Sequence, residues 1–119
     1  ISGVSDIFMG GVITYSDEAK IDILNITKLE IKKFGVVSEN IAFLMAKNSK
    51  ELFKTSLSLA TTGNLGPLSS DNRSKVGEIY ICLIYHEKVF HKKLNLKSTR
   101  VENINKLVFE AFSLIDSVL

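Results

Sequence analysis

Three residues near the start of the chain have the types and spacing of acyl-transfer chemistry. Ser5 lies ten residues before Tyr15, and Lys20 follows five residues later. A serine hydroxyl is a weak nucleophile until a neighbouring base takes its proton. An uncharged lysine, with a tyrosine to bridge or orient, can be that base. Lys20 falls in the first turn of an expected helix, where unpaired N–H groups carry partial positive charge that disfavours an ammonium. Partial desolvation would lower its pKa further, toward neutral pH. The competing reading is a solvated surface charge at a helix start, and spacing alone favours that.

A second group surrounds the segment Thr61-Thr62-Gly63-Asn64-Leu65-Gly66-Pro67. Glycines such as Gly63 and Gly66 at a strand end let backbone N–H groups approach a ligand closely, as in anion-binding nests. No Gly-Lys-Ser/Thr follows, so the segment is not a P-loop. The loop over 62–75 runs to about fourteen residues, beyond the usual ~4–6, which points to ligand binding or to disorder. Arg100, at the start of the last helix, could hold a phosphate or carboxylate together with the helix's unpaired N–H groups. The competing reading, a surface arginine paired with Glu102 or Glu110, is the one spacing alone favours.

Other candidates are weaker. His86 and His91 have no Cys, His or acidic partners at ligand spacing, so no metal is expected. Cys82 sits inside an apolar run and reads as a buried small hydrophobe. Lys32-Lys33 and Lys92-Lys93 lack interleaved aromatics, so no nucleic-acid partner is expected.

The elements that must position these groups follow from patterning. Val12-Ile13-Thr14-Tyr15 reads as a short strand of β-branched and aromatic residues. Ser16 or Asp17 caps a helix over 18–24. Thr27-Lys28-Leu29-Glu30 fits a capping box for a helix that Gly35 would end. Ser38 caps a third helix reaching about Phe53, with the stripe Ile41, Leu44, Met45 and Leu52. Strands are expected over 57–61, 78–85 and 88–96, the last two joined by a turn at His86-Glu87. Thr99-Arg100-Val101-Glu102 is a second capping box. It opens a helix with the stripe Val101, Ile104, Val108, Ala111, Phe112, Ile115 and Val118. Alternating strands and helices give the α/β class, with an antiparallel hairpin near the end.

Composition bounds the rest. The chain has 119 residues, 45% apolar and 24% charged, the balance of one packed domain over 1–119. A net charge of +2 excludes a strongly basic nucleic-acid arm and an acidic disordered tail. The longest apolar runs are far shorter than the ~18 residues of a bilayer span, so no membrane partner is expected. One cysteine and no charged-then-apolar leader fit a reducing, cytoplasmic setting.

Five blocks in order carry a resemblance. They are Ser2-Gly3-Val4-Ser5-Asp6, GGVITYSDEAK (residues 10–20), Gly35-Val36-Val37-Ser38, TGNLGP (residues 62–67) and Val76-Gly77-Glu78-Ile79-Tyr80-Ile81. Over nearly its whole length the chain resembles the C-terminal domain of the competence/damage-inducible CinA family, whose members include nicotinamide-nucleotide amidases. The resemblance implies a three-layer α/β/α sandwich with a mixed sheet. It also implies hydrolysis of the carboxamide of nicotinamide mononucleotide to nicotinate mononucleotide and ammonia, a step of pyridine-nucleotide salvage, with no cofactor. By matching positions, Ser5 would be the nucleophile, Lys20 the base and Tyr15 a relay. Thr62, Gly63 and Gly66 would line the pocket, and Arg100 would contact the nucleotide substrate.

The chain departs from the family pattern at three places. The family's upstream helix, opening on a Glu-Ser-Cys-Thr-Gly-Gly motif, is expected to lie outside this sequence. Asn64-Leu65 and Leu68-Ser69-Ser70 replace the family's Ile-Ala pair and further glycines, and Ile104 stands where a second arginine is usual. An uncovered apolar surface would favour self-association, with the C-terminal helix stripe as the patch, so a homo-oligomer is expected. The alternative function is a catalytically silent relative that binds a nucleotide or a protein partner.

Overall fold

Each α-helix begins on a side chain that accepts one of its first unpaired N–H groups. A computed structural model describes residues 3–67 and 73–119, and these caps fix its frame. Ser16 accepts from Ala19 N at 3.1 Å and opens α1, Asp17–Leu24. Thr27 and Glu30 form a complete capping box for α2, Lys28–Phe34, which ends at Gly35 with φ 83°. Ser38 accepts from Ile41 N at 3.2 Å and opens α3, Glu39–Phe53. Thr99 accepts from Glu102 N at 3.3 Å and opens α4, Arg100–Val118. The box expected there is only half closed, because the Glu102 carboxylate takes the Ser98 hydroxyl instead.

Between α3 and α4 lie β1 (Leu57–Gly63), β2 (Glu78–Tyr85) and β3 (Lys88–Asn95), in the order β1-β2-β3. In register, Ala60 faces Cys82 across β1 and β2, and Cys82 faces His91 across β2 and β3. Alternation then sends successive side chains of β2 to opposite layers. Cys82 and Ile84 pack with Ala60 against Ala42 and Ala46 of α3. Ile79 and Ile81 pack with Leu59 and Leu94 against Leu107, Ala111 and Leu114 of α4. A third cluster, Leu24, Ile26 and Ile41, ties α1 to α3. Buried on both faces, β2 is the centre of the core, as its apolar run requires. Burial pushes the Cys82 thiol up to about 12, in keeping with a structural hydrophobe.

The α/β class and three layers are those expected, with three corrections. Both strand pairings among the described residues are antiparallel, so the sheet there is not mixed. Val12-Ile13-Thr14-Tyr15 is not a strand, and Ile13 and Tyr15 are 90% and 91% exposed. The Thr14 carbonyl, which a ladder would need, accepts from the Lys20 amine. In α4, Val101, Ile104, Val108 and Phe112 of the expected stripe face outward with Phe109, while Asn103, Leu107, Ala111 and Leu114 face the sheet. Leu52 of α3 is likewise exposed. Among the described residues no helix is long and apolar enough to cross a membrane.

Candidate functional site

Lys20 is where the structure concentrates unusual chemistry. It is the fourth residue of α1, on the inward face with Leu24, and only 5% exposed. Its Nζ donates to the Thr14 carbonyl at 2.7 Å. Burial holds its pKa below the ordinary lysine value, with the Asp17 carboxylate pulling weakly the other way. An amine so placed is a proton acceptor at lower pH than a surface lysine. Thr14 is itself buried, and its hydroxyl has no partner among the described residues.

Ser5 occupies a single 3-10 turn, Val4–Asp6, and is exposed. No hydrogen bond joins it to Lys20 or Tyr15 among the described residues. The Tyr15 ring stands in solvent. The three residues thus share one stretch of chain, Gly3 to Lys20, with the base buried and the other two outside.

The second group is held by bonds within the fold. Arg100 donates to the Gly66 carbonyl at 2.8 Å, which ties the loop after β1 to the start of α4. Thr62 donates to the Val36 carbonyl at 2.8 Å, tying β1 to the α2–α3 connection. Gly63 is glycine because a Cβ would sit 2.6 Å from the Ile79 side chain. Gly66 has φ +88°, a left-handed conformation that other residues adopt at a cost. Leu68-Ser69-Ser70 lies outside the described residues.

Sequence reasoning missed the residues that organise this corner. Asn103, 1% exposed, accepts from Ser98 N at 3.1 Å and donates to the carbonyls of Leu65 and Ser98 at 3.3 and 3.2 Å. Its signal was its position, on the same helical face as Leu107, Ala111 and Leu114. Gly77 crosses Leu96 so closely that a Cβ would lie 1.8 Å from the Leu96 carbonyl oxygen. Its own N–H and carbonyl bond Asn64 and Leu96. Arg73 clamps the end of α2 through the carbonyls of Lys32 and Lys33 at 2.8 and 3.2 Å.

Two surface hollows stand elsewhere. One of about 400 Å³ lies between α1 and α2, lined by Asp17, Glu18, Ile21, Asp22, Lys28 and Ile31. The other, about 580 Å³, runs along the outward face of α4 past Val108, Phe109 and Phe112. Among the described residues no group of three His, Cys, Asp or Glu side chains could hold a metal ion.

Comparison with known proteins places this geometry. The family model described as the CinA C-terminal domain matches residues 1–119. A CinA-like protein of Flavobacterium psychrophilum is 36% identical over 115 residues, 97% of this chain and 28% of that protein. A CinA-like protein of Kosmotoga olearia is 35% identical over 119 residues, 100% of this chain and 29% of that protein. The chain therefore spans less than a third of the length of these curated relatives. Among solved structures, the competence damage-inducible protein A of Klebsiella pneumoniae superposes with a TM-score of 0.92 at 20% identity, over 98% of this chain and 73% of that one. The competence/damage inducible protein of Agrobacterium tumefaciens gives 0.91 at 25% identity, over 98% and 72%.

Proposed function

The chain belongs to the CinA C-terminal domain family, and from that premise we propose that it hydrolyses the carboxamide of nicotinamide mononucleotide by a serine–lysine mechanism. The observation that carries the reading is the buried Lys20 amine, shifted toward its uncharged form and held by one hydrogen bond. A buried lysine without an acidic partner in contact is a costly feature for a fold to keep, and general-base chemistry is a function that requires it.

In this mechanism neutral Lys20 takes the proton of Ser5 as the hydroxyl oxygen attacks the carboxamide carbon. Backbone N–H groups hold the tetrahedral oxyanion, worth about 3–4 kcal/mol per donor in hydrolases. Lys20 then returns its proton to the departing nitrogen, and ammonia leaves. Water attacks the acyl-Ser5 carbonyl and gives its proton to Lys20, which passes it back to Ser5. Tyr15 orients the proton path. For the first step the turn at Ser5 must bring its hydroxyl within reach of Nζ, a tightening that substrate binding commonly supplies. Arg100 uses one of its donors on Gly66, and its exposed remainder is available to a phosphate at the start of α4. Thr62, Gly63 and Gly66 are the residues that would line the pocket.

The second reading is a silent relative that binds a nucleotide or a protein partner. It is favoured by the exposure of Ser5 and Tyr15 and by the internal bonds of Thr62 and Arg100. Ammonia release from nicotinamide mononucleotide, with the wild type and Lys20→Met compared, separates the two. Release by the wild type and its loss in Lys20→Met support the amidase. A thermal shift with the mononucleotide and no ammonia supports the binder. Equal release by both proteins removes Lys20 from the mechanism.

A further inference from the structure

Thr14 presents two oxygens from one buried residue, and the structure treats them unequally. Its carbonyl receives the Lys20 amine at 2.7 Å. Its hydroxyl oxygen is fully buried and bonds nothing among the described residues. A buried hydroxyl without a partner costs stability, and valine would fill the same β-branched position without that cost. The hydroxyl therefore needs a reason beyond packing.

The reason lies in how an amine changes when it takes a proton. Neutral Lys20 has two N–H donors and one lone pair, and its bond to the Thr14 carbonyl engages one of the donors. The ammonium has three donors and no lone pair, and in a dry site it needs further acceptors. Few are within the fold. Asp17, three residues earlier on α1, is the charged group that acts on Lys20, and it favours the ammonium. From α3 the side chains packed on α1 are apolar, Ile41, Leu44 and Met45, together with Asn48, whose amide is engaged by the Leu24 carbonyl. From α2, Lys28 faces α1 across their shared hollow and is a donor like Lys20 itself. Among the described residues the fully buried side-chain oxygen left without a partner is that of Thr14.

We propose that Thr14 is a positioning residue for Lys20, holding the uncharged amine through its carbonyl and supplying its hydroxyl oxygen as the acceptor to which the amine turns once it has taken a proton. The inference deepens the amidase reading, because Lys20 carries a proton between attack and departure of ammonia in that mechanism. The coupling of Thr14 to Lys20 is nevertheless measurable without turnover.

The test uses the full chain as Thr14→Val and Thr14→Ser, with the Lys20 side chain titrated by nuclear magnetic resonance. Removing an acceptor of the charged form lowers the Lys20 pKa by roughly half a unit to one unit in Thr14→Val, and serine restores it. In turnover, the acid limb of kcat/KM moves to lower pH in Thr14→Val. There kcat falls about tenfold with KM unchanged, and serine again restores both. A purely structural role would change melting temperature and leave the titration where it was. An unchanged Lys20 pKa in Thr14→Val, or a serine variant that behaves like valine, overturns the proposal. A wild type that releases no ammonia, with the valine shift and its serine rescue intact, overturns the amidase reading and upholds Thr14 as the positioning residue.

Discussion

The corner around Lys20 and the corner around Arg100 are built on opposite terms. At Arg100, Asn103 and Gly77, polar groups of the β1–β2 connection and the start of α4 meet partners within the chain. At Lys20, a buried amine donates to the carbonyl of a buried threonine whose own hydroxyl has no partner among the described residues. Satisfied polar networks fix a fold, whereas buried groups with unmet valence weaken it and persist where chemistry needs them. The residues that looked most like binding groups in the sequence do the fixing. Lys20, whose spacing alone favoured a solvated surface charge, has the unusual environment.

Substitutions can break this contrast, beginning with the largest effect. Gly77→Ala forces a Cβ into the Leu96 carbonyl at a φ of +90°. It is expected to cost at least ~3 kcal/mol, read from denaturant unfolding. Asn103→Leu keeps the branching with added bulk and strands the carbonyls of Leu65 and Ser98. A loss of about 2 kcal/mol is expected, and a neutral result would mean that corner is not held by its polar network.

Lys20→Met should act in the other direction, raising stability at pH 7 by about 1 kcal/mol as a buried, poorly partnered amine is replaced by a thioether of similar reach. The sign with pH follows from linkage. Burial depresses the Lys20 pKa in the folded chain. Between that value and the ordinary lysine value the unfolded chain binds more protons, so wild-type stability rises as pH climbs through the window. The methionine variant lacks that rise, and its advantage shrinks toward alkaline pH. An advantage independent of pH would contradict the burial of a titrating amine. Arg100→Ala has the smallest expected effect, a loss of roughly 0.5–1 kcal/mol for one hydrogen bond from an exposed side chain.

Helix starts were legible because capping is local. Ser16, Thr27, Ser38 and Thr99 each accept the N–H three residues on, as their spacing anticipated. The run over β2 was legible because a strand buried on both faces cannot alternate. Val12 to Tyr15 misled, since β-propensity reports side-chain fit and not whether a neighbour offers a ladder. In α4 the periodicity found an apolar stripe without revealing which side meets the sheet, and the side that does carries Asn103. Glycine types at 63 and 66 suggested a ligand, and the structure adds a close approach to Ile79 at the first and a left-handed backbone at the second. Lys20 was legible as a candidate, but its burial and that of the Thr14 hydroxyl are tertiary facts.

The lateral margins of the sheet differ in a way that bears on handling the molecule. β3 carries Lys88, Lys92 and Lys93 along one boundary, whereas β1, Leu57–Gly63, has no charged residue. Among the described residues no further strand joins the outer side of β1. Lysines deter intermolecular pairing, and an uncharged margin templates it. Concentrated solutions should thus aggregate by growth from β1, and a single lysine introduced there should slow precipitation more than any addition to β3.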